Sequence, residues 1–209
     1  MLKLIRIVKL SIQIFSLIKT AMGKIILVTG GARSGKSNFA EKLALKLGNG
    51  RAAYIATAQI FDEEMAHRVK LHKARRNDSW TTYESPFDAD KTILTLENFD
   101  AILFDCVTIY LSNFLCASDL DDVEKIYGDA ENLIDKLIDA AKNVNAVTIF
   151  VSNEVGGGIV PENKLARIFR DVAGLANQRI AKSAAQVYLT VAGIAVDIKN
   201  LSNGGIDIG

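Results

Sequence analysis

Residues 30–37 are the first group whose types and spacing could do chemistry. They fit the pattern G-x-x-x-x-G-K-[ST]. Glycines there allow backbone torsions and close approaches that a Cβ would block, so backbone N–H groups can surround phosphate oxygens. In such a loop Lys36 reaches the β- and γ-phosphates, and the hydroxyl of Ser37 is a ligand for Mg²⁺. The pattern predicts a nucleoside triphosphate site made of Gly30, Gly31, Ala32, Arg33, Ser34, Gly35, Lys36 and Ser37.

A second group with chemical potential is the charged stretch 62–76, where acids lead and bases trail, as the helix dipole favours. On a helix, Arg68, His72, Arg75 and Arg76 share one face. Nearby guanidinium groups disfavour the cationic imidazole, so His72 would be a neutral nucleophile near pH 7, beside arginines that bind phosphate. Charge patterning alone favours a simpler interpretation, a solvated basic helix with an incidental histidine.

Two acids follow apolar runs and could also belong to a site. Asp105 ends the run 101–104, at the position where open α/β sheets bind ligands and phosphate-loop enzymes hold Mg²⁺. An N-cap for the helix that starts near Val107 is an equally good interpretation of Asp105. Glu154 follows the run 147–151, and it is either a general base or a residue that structures its glycine-rich loop.

These groups must be positioned by strands and helices that alternate along the chain. Apolar, β-branched runs predict strands over 25–29, 52–56, 101–104, 147–151 and 187–191. Helical spacing predicts helices near 37–47, 62–77, 107–116, 121–143 and 162–184, the last opening with Pro161 in its first turn. Several strands are apolar throughout, as in parallel sheets covered on both faces. We expect one α/β domain of the phosphate-loop type, with a mostly parallel sheet flanked by helices.

Composition bears on the binding partners and the cell compartment that we expect for this chain. The chain has 209 residues, and its 25 basic and 24 acidic side chains give a net charge of +1, so there is no basic excess to indicate nucleic acid. The two cysteines, Cys106 and Cys116, have no metal-ligand spacing, and we expect both to be buried thiols in a reducing, cytoplasmic compartment.

Residues 1–21 differ from the rest, because they carry four positive charges among apolar residues and no acid. One interpretation is a signal or membrane-surface segment. The charges leave no run near the ~18 apolar residues of a spanning helix. We therefore predict an extension without membrane association, followed by a single domain over 22–209.

The order of these motifs resembles one family. The segments VTGGARSGKSNFAE (28–41), YIATAQ (54–59) and VSNEVGGGIVPEN (151–163), with the histidine stretch between them, are similar to the bifunctional adenosylcobinamide kinase / adenosylcobinamide-phosphate guanylyltransferase family. The resemblance runs over about residues 24–199. A phosphate loop alone is shared by many activities, but far fewer proteins combine the loop, the histidine stretch and the segment 151–163.

The resemblance implies a function in cobalamin assembly. Such enzymes phosphorylate the aminopropanol hydroxyl of adenosylcobinamide with ATP or GTP, then transfer GMP from GTP to that phosphate through a guanylylated histidine, which is His72 here. The resemblance places nucleotide contacts at Ala56, Thr57, Ala58, Lys73, Ala74, Arg75, Arg76, Glu84 and Asp105, in addition to the loop, with Mg²⁺ held by Ser37 and Asp105. It also implies a homotrimer.

The resemblance leaves several points open. By the resemblance, Glu84 would accept hydrogen bonds from guanine N1–H and N2–H, since a carboxylate can accept two. Some family members have Glu where this chain has the shorter Asp105. Arg167, Arg170 and Asp171 are either corrinoid or inter-subunit contacts or a surface ion-pair network. A kinase without guanylyl transfer and a nucleotide-dependent switch are the competing functions.

Overall fold

The computed structural model describes residues 23–59 and 79–202. These residues form a seven-stranded sheet and six helices. The strands are β1 (Ile25–Gly30), β2 (Ala52–Ala56), β3 (Trp80–Glu84), β4 (Ala101–Asp105), β5 (Val147–Asn153), β6 (Gln186–Val191) and β7 (Ile194–Asp197). The helices are α1 (Lys36–Leu47), α2 (Ala89–Leu94), α3 (Val107–Cys116), α4 (Val123–Lys142), α5 (Lys164–Ser183) and α6 (Ile198–Ser202).

The strand order in the sheet is β3-β2-β4-β5-β1-β6-β7. Every neighbouring pair is parallel except β6 with β7, which form an antiparallel hairpin. The predicted parallel α/β sheet with flanking helices is therefore confirmed. Parallel strands end at a common edge, so the residues that follow β1, β2, β3, β4 and β5 meet there.

Two apolar clusters cover the two faces of the sheet, as the continuously apolar strands require. On one face Ala40 and Ala44 of α1 are fully buried against β1, β4 and β5. Side chains of α2, α3, α4 and α5 build the larger cluster on the opposite face. Small alanines at i and i+4 let α1 approach the sheet closely, and this fixes the helix that carries Lys36.

The predicted strands are all present, and five features were missed or misplaced. The helices α2 and α6 were not predicted, because helices of six and five residues are too short to show a helical period. Strand β3 escaped notice because Thr81 and Thr82 are exposed polar residues, and β7 because it is a short strand at the sheet edge. Helix α5 starts at Lys164, with the side chain of Asn163 as N-cap accepting from the Ala166 N–H at 3.0 Å. The predicted place of Pro161 in the first turn is therefore wrong, because Asn163 supplies the cap.

Two predicted segments, the extension 1–21 and the helix 62–77, lie outside the described residues. Within 23–59 and 79–202, no helix combines the length and apolarity needed to cross a membrane. Cys106 is buried as predicted, but Cys116 is exposed, because the last turn of α3 turns its side chain to solvent.

Candidate active site at the carboxyl edge of the sheet

Strand register brings the predicted site residues to one edge. Ala56 lies opposite both Glu84 and Asp105, and Gly30 lies opposite Asn153. The edge therefore runs from Glu84 on β3, past β2, β4 and β5, to the loop that follows β1. Four strand spacings of about 4.8 Å separate β3 from β1, so this row spans roughly 19 Å.

The phosphate loop is shaped by backbone torsions. Gly30 has φ 154° and Gly35 has φ 94°, values that L side chains rarely adopt, and Arg33 is also left-handed at φ 56°. A Cβ on Gly30 would lie 2.3 Å from the Thr190 carbonyl oxygen, so glycine is also required sterically there. The prediction that the loop requires glycine is confirmed at Gly30 and Gly35. It is not confirmed at Gly31, where a Cβ would meet no atom within 4 Å.

The β6–β7 hairpin supports this loop from one side. Its two turn residues, Ala192 and Gly193, both have positive φ, as a tight antiparallel hairpin requires. The Gly193 N–H donates to the Ser34 carbonyl oxygen at 2.8 Å. The tip of the hairpin thus fixes the loop just before α1 begins.

Lys36 opens α1 and points back across the loop. Its Nζ donates to the Gly31 carbonyl oxygen at 3.1 Å, and the residue is buried. Burial lowers the pKa of Lys36, while the nearby Cys106 and Asp105 oppose that shift. The ammonium group is therefore held where phosphate oxygens would meet the loop amides. Ser37 follows it on the helix and is half-buried.

Asp105 and Cys106, which we call the Asp105 turn, leave β4 at the centre of the edge, and the peptide bond between them is cis. The Tyr54 hydroxyl donates to Asp105 Oδ2 at 2.6 Å. The N-cap position of α3 is Cys106, with no side-chain cap, so the alternative of Asp105 as the cap is excluded. The carboxylate is directed by Tyr54 toward the edge that also holds Lys36.

Thr57 lies fully buried beside the Asp105 turn. Its Oγ1 accepts from the Cys106 N–H at 2.8 Å and donates to the Cys106 carbonyl oxygen at 3.0 Å. Its backbone N–H donates to the Asp105 carbonyl oxygen at 3.2 Å. Asn113 Nδ2 donates to the Thr57 carbonyl oxygen at 2.8 Å and to that of Pro86 at 3.1 Å. Ala56 and Ala58, on either side, are half-buried.

Cys106, the second residue of the Asp105 turn, is buried beneath it. Its Sγ lies 3.2 Å from Thr108 Oγ1, and burial, with the Asp105 charge second, raises the pKa of the thiol to about 11. Asn153 Nδ2 donates to the same Thr108 hydroxyl at 2.9 Å. Sequence reasoning gave no separate role to Asn113, Thr108 or Asn153. Their positions beside the turn follow from tertiary packing, although Asn153 lies in a motif segment that was noticed.

Glu154 follows β5 on the exposed side of this edge. Its N–H donates to the Gly30 carbonyl oxygen at 3.0 Å, and its Oε1 accepts from the Gly156 N–H at 2.7 Å. These bonds favour the loop-structuring interpretation over that of a general base. Glu84 is exposed at the far end of the edge, one residue before the Ser85 N–H that donates to the Ala56 carbonyl oxygen at 2.8 Å.

The three α5 residues considered as corrinoid or inter-subunit contacts, Arg167, Arg170 and Asp171, all bond to other residues of this chain. Arg167 Nη1 donates to the carbonyl oxygens of Pro161, at 3.1 Å, and Glu162, at 2.5 Å, so it holds the start of the helix. Arg170 and Asp171 form an ion pair with a 3.5 Å separation. These contacts agree with the interpretation of a surface network. The candidate residues His72, Lys73, Ala74, Arg75 and Arg76 lie outside the described residues.

The fold and the site together define a phosphate-loop α/β protein whose phosphate loop lies at the carboxyl edge of a parallel sheet. The sequence matches the family described as cobinamide kinase / cobinamide phosphate guanyltransferase over residues 26–198. The chain belongs to this family.

Curated relatives agree with the match. A protein of Salmonella typhimurium named bifunctional adenosylcobalamin biosynthesis protein CobU is 47% identical over 182 residues, which cover 83% of this chain and 99% of the relative. The protein of the same name from Escherichia coli is 44% identical over 83% of this chain and 99% of its own length. The Pseudomonas aeruginosa protein named CobP is 40% identical over 83% of this chain and 96% of its own length. The flagellar accessory protein FlaH of Methanocaldococcus jannaschii is a distant structural match, with a TM-score of 0.44, 16% identity, and coverage of 84% of this chain and 76% of that one.

Proposed function

We propose that the chain phosphorylates adenosylcobinamide with ATP or GTP and then transfers GMP from GTP to the product through His72. The observation that carries the proposal is the single sheet edge on which the phosphate loop, Asp105, Ala56 and Glu84 lie in a row. An extended nucleotide can follow such a row, with its phosphates at the loop and its guanine toward Glu84. Relatives with 40–47% identity carry names that describe a bifunctional protein.

In the kinase step, the corrinoid hydroxyl oxygen attacks the γ-phosphorus, and the bond from that phosphorus to the β-phosphate oxygen breaks. Phosphoryl transfer needs little beyond positioning and charge neutralisation. Lys36 and the loop amides would neutralise the oxygens of the leaving nucleoside diphosphate. The hydroxyl proton passes to solvent water as the new P–O bond forms.

Mg²⁺ fits the oxygen donors at this edge. Within the parts of the chain that the structure describes, no three His, Cys, Asp or Glu side chains converge on a metal site. Mg²⁺ commonly uses only one or two protein oxygens together with substrate phosphates. Ser37 Oγ and the Asp105 carboxylate would supply these, with Asp105 kept in place by Tyr54. When bound, the ion would neutralise charge on the phosphate oxygens.

In the guanylyl step, a His72 ring nitrogen attacks the α-phosphorus of GTP, a P–N bond forms, and pyrophosphate leaves. A phosphate oxygen of the corrinoid then attacks the same phosphorus and breaks the P–N bond, which returns free His72. The segment that contains His72 follows Ala58, which lies just after the end of β2 at the carboxyl edge. This connection supports the proposal.

The test is incubation of the protein with Mg²⁺ and GTP labelled at the α- or the γ-phosphate, followed by denaturation and mass analysis. We expect an adduct from the α-label only, labile in acid and stable in base. It should be absent in His72→Ala and present in His67→Ala, the matched control from the same stretch. Nucleotide binding without any adduct would refute guanylyl transfer through His72.

We also propose that the chain assembles into a homo-oligomer, a trimer by the resemblance, with β7 at an interface between copies. Val191, Ile194 and Val196 are 61%, 68% and 43% exposed on the outermost hairpin, and β7 pairs only with β6 among the described strands. Exposed apolar edges of this kind mark interaction sites. Sedimentation analysis should find an oligomer that Ile194→Asp weakens; a monomer at all concentrations would refute this.

A further inference from the structure

The hydroxyl of Thr57 has no hydrogen left for a nucleotide. A threonine hydroxyl has one donor hydrogen and two acceptor lone pairs. The hydrogen is given to the Cys106 carbonyl oxygen at 3.0 Å, and one lone pair receives the Cys106 N–H at 2.8 Å. The residue is also 0% exposed. This side chain therefore bonds to protein rather than to a ligand.

The same residue encloses the Asp105 turn with its backbone. The Thr57 N–H donates to the Asp105 carbonyl oxygen at 3.2 Å, so three hydrogen bonds from one residue fix Asp105 and Cys106. Asn113, 4% exposed, donates to the carbonyl oxygens of Thr57 and Pro86. These bonds link Thr57 to α3 and to the segment after β3. Thr57 is thus held in turn from two further elements.

The direction of the Asp105 side chain depends on its own backbone, which the hydrogen bonds of Thr57 hold in place. The Tyr54 hydroxyl donates to Oδ2, an atom of the Asp105 side chain, so this bond does not itself fix the main chain at the end of β4. A displacement of about 1 Å at a reacting group can cost on the order of 100-fold in rate. A residue that fixes the Asp105 main chain therefore controls where the carboxylate lies relative to Lys36 and the substrate phosphates.

We propose that Thr57 is a positioning residue, whose buried hydroxyl acts on phosphoryl transfer through Asp105 rather than by binding nucleotide. This rests on the proposed function, in which Asp105 serves the kinase step. Because the Thr57 hydroxyl is already engaged by the Cys106 backbone, loss of that hydroxyl should lower kcat and leave nucleotide affinity nearly unchanged.

The test compares Thr57→Val, which keeps the shape and removes the hydroxyl, with Thr57→Ser, which keeps the hydroxyl. Thr57→Val should lower the cobinamide kinase kcat by roughly 10- to 100-fold while the ATP dissociation constant changes little. Thr57→Ser should restore most of the rate. Thr148→Val is the matched control, because Thr148 is equally buried and its hydroxyl has no partner among the described residues.

A double-mutant cycle with Asp105→Asn separates positioning from a general loss of structure. If Thr57 acts through Asp105, Thr57→Val should add little in the Asp105→Asn background, since coupled residues are not additive. If Thr57→Val lowers kcat by the same factor in the Asp105→Asn background as in the wild type, the proposal is overturned. A raised ATP dissociation constant at unchanged kcat would overturn it too. Thr57→Ala is a second variant in case the valine protein does not fold, because it also removes the hydroxyl, and the same loss of kcat is expected.

Failure of the inference can be told from failure of the proposed function. An active wild type whose rate falls in Asp105→Asn but not in Thr57→Val would overturn the role of Thr57 alone. A rate unchanged in Asp105→Asn would overturn the roles of both residues. A wild type that binds ATP and never phosphorylates cobinamide would overturn the proposed function itself.

Discussion

The phosphate loop and the Asp105 turn lie on the same sheet edge and are built in different ways. The loop takes its shape from the torsions of Gly30 and Gly35, and two backbone hydrogen bonds hold it from outside, from Gly193 to Ser34 and from Glu154 to Gly30. The Asp105 turn takes its shape from the side chains of Tyr54 and Thr57, with Asn113 behind them. A motif specifies the first kind of site locally, whereas the second exists only once distant elements have packed.

The largest expected effect is on the loop side. Lys36→Ala removes the ammonium group from the phosphate oxygens and should lower kcat/KM for both transfer steps by on the order of 100-fold or more. The exposed Lys46, later on the same helix, provides the control variant Lys46→Ala. Steady-state kinetics of both proteins measures the difference, and near-normal turnover in Lys36→Ala would contradict the site.

The next effect tests the backbone construction of the loop. Gly35→Ala should destabilise the fold by about 1–3 kcal/mol, because φ is 94° and the new Cβ would lie 3.0 Å from Gly193 Cα. Gly128→Ala, on an exposed part of α4 with nothing within 4 Å, should be neutral or stabilise by up to about 1 kcal/mol. Urea unfolding compares the two, and equal free energies of unfolding would refute the torsional argument.

A smaller effect tests the side-chain construction of the Asp105 turn. Tyr54→Phe removes the hydrogen bond to Asp105 Oδ2 and should slow the kinase step roughly tenfold, as loss of a bond to a charged group would. Tyr127→Phe is the control, since that hydroxyl bonds Asp171 at 3.4 Å on the surface. Single-turnover rates decide, and the same rate in both variants would show that Tyr54 does not direct the carboxylate.

The smallest effect concerns the two thiols and needs no mutation. The exposed Cys116 should react with a thiol reagent near pH 8, while Cys106 stays unmodified in the native protein. Burial raises the pKa of the Cys106 thiol from its ordinary value of 9.0 to about 11, so the folded state keeps that proton to a higher pH than the unfolded state. Its contribution to stability is present below pH 9 and is lost as the pH rises through 11. Labelling of both thiols at pH 8 would contradict the buried position of Cys106.

The predictability of the fold and the site follows the same division. The strand runs and the loop motif predicted β1, β2, β4, β5 and β6 and the torsions of Gly30 and Gly35, because these features depend on local sequence. The exposed edge strands β3 and β7 have weak apolar patterns and escaped notice. The contacts of Thr57 with Cys106, 49 residues away, have no local signal, because they depend on strand order in the sheet.

The most direct test of the central claim, that one edge serves two transfers, is product analysis with adenosylcobinamide, Mg²⁺ and GTP. The account predicts that wild type forms adenosylcobinamide phosphate and then its GDP derivative with pyrophosphate. His72→Ala should stop at the phosphate, and Lys36→Ala should lose both products. Formation of the GDP derivative by His72→Ala, or of neither product by wild type that binds GTP, would contradict it.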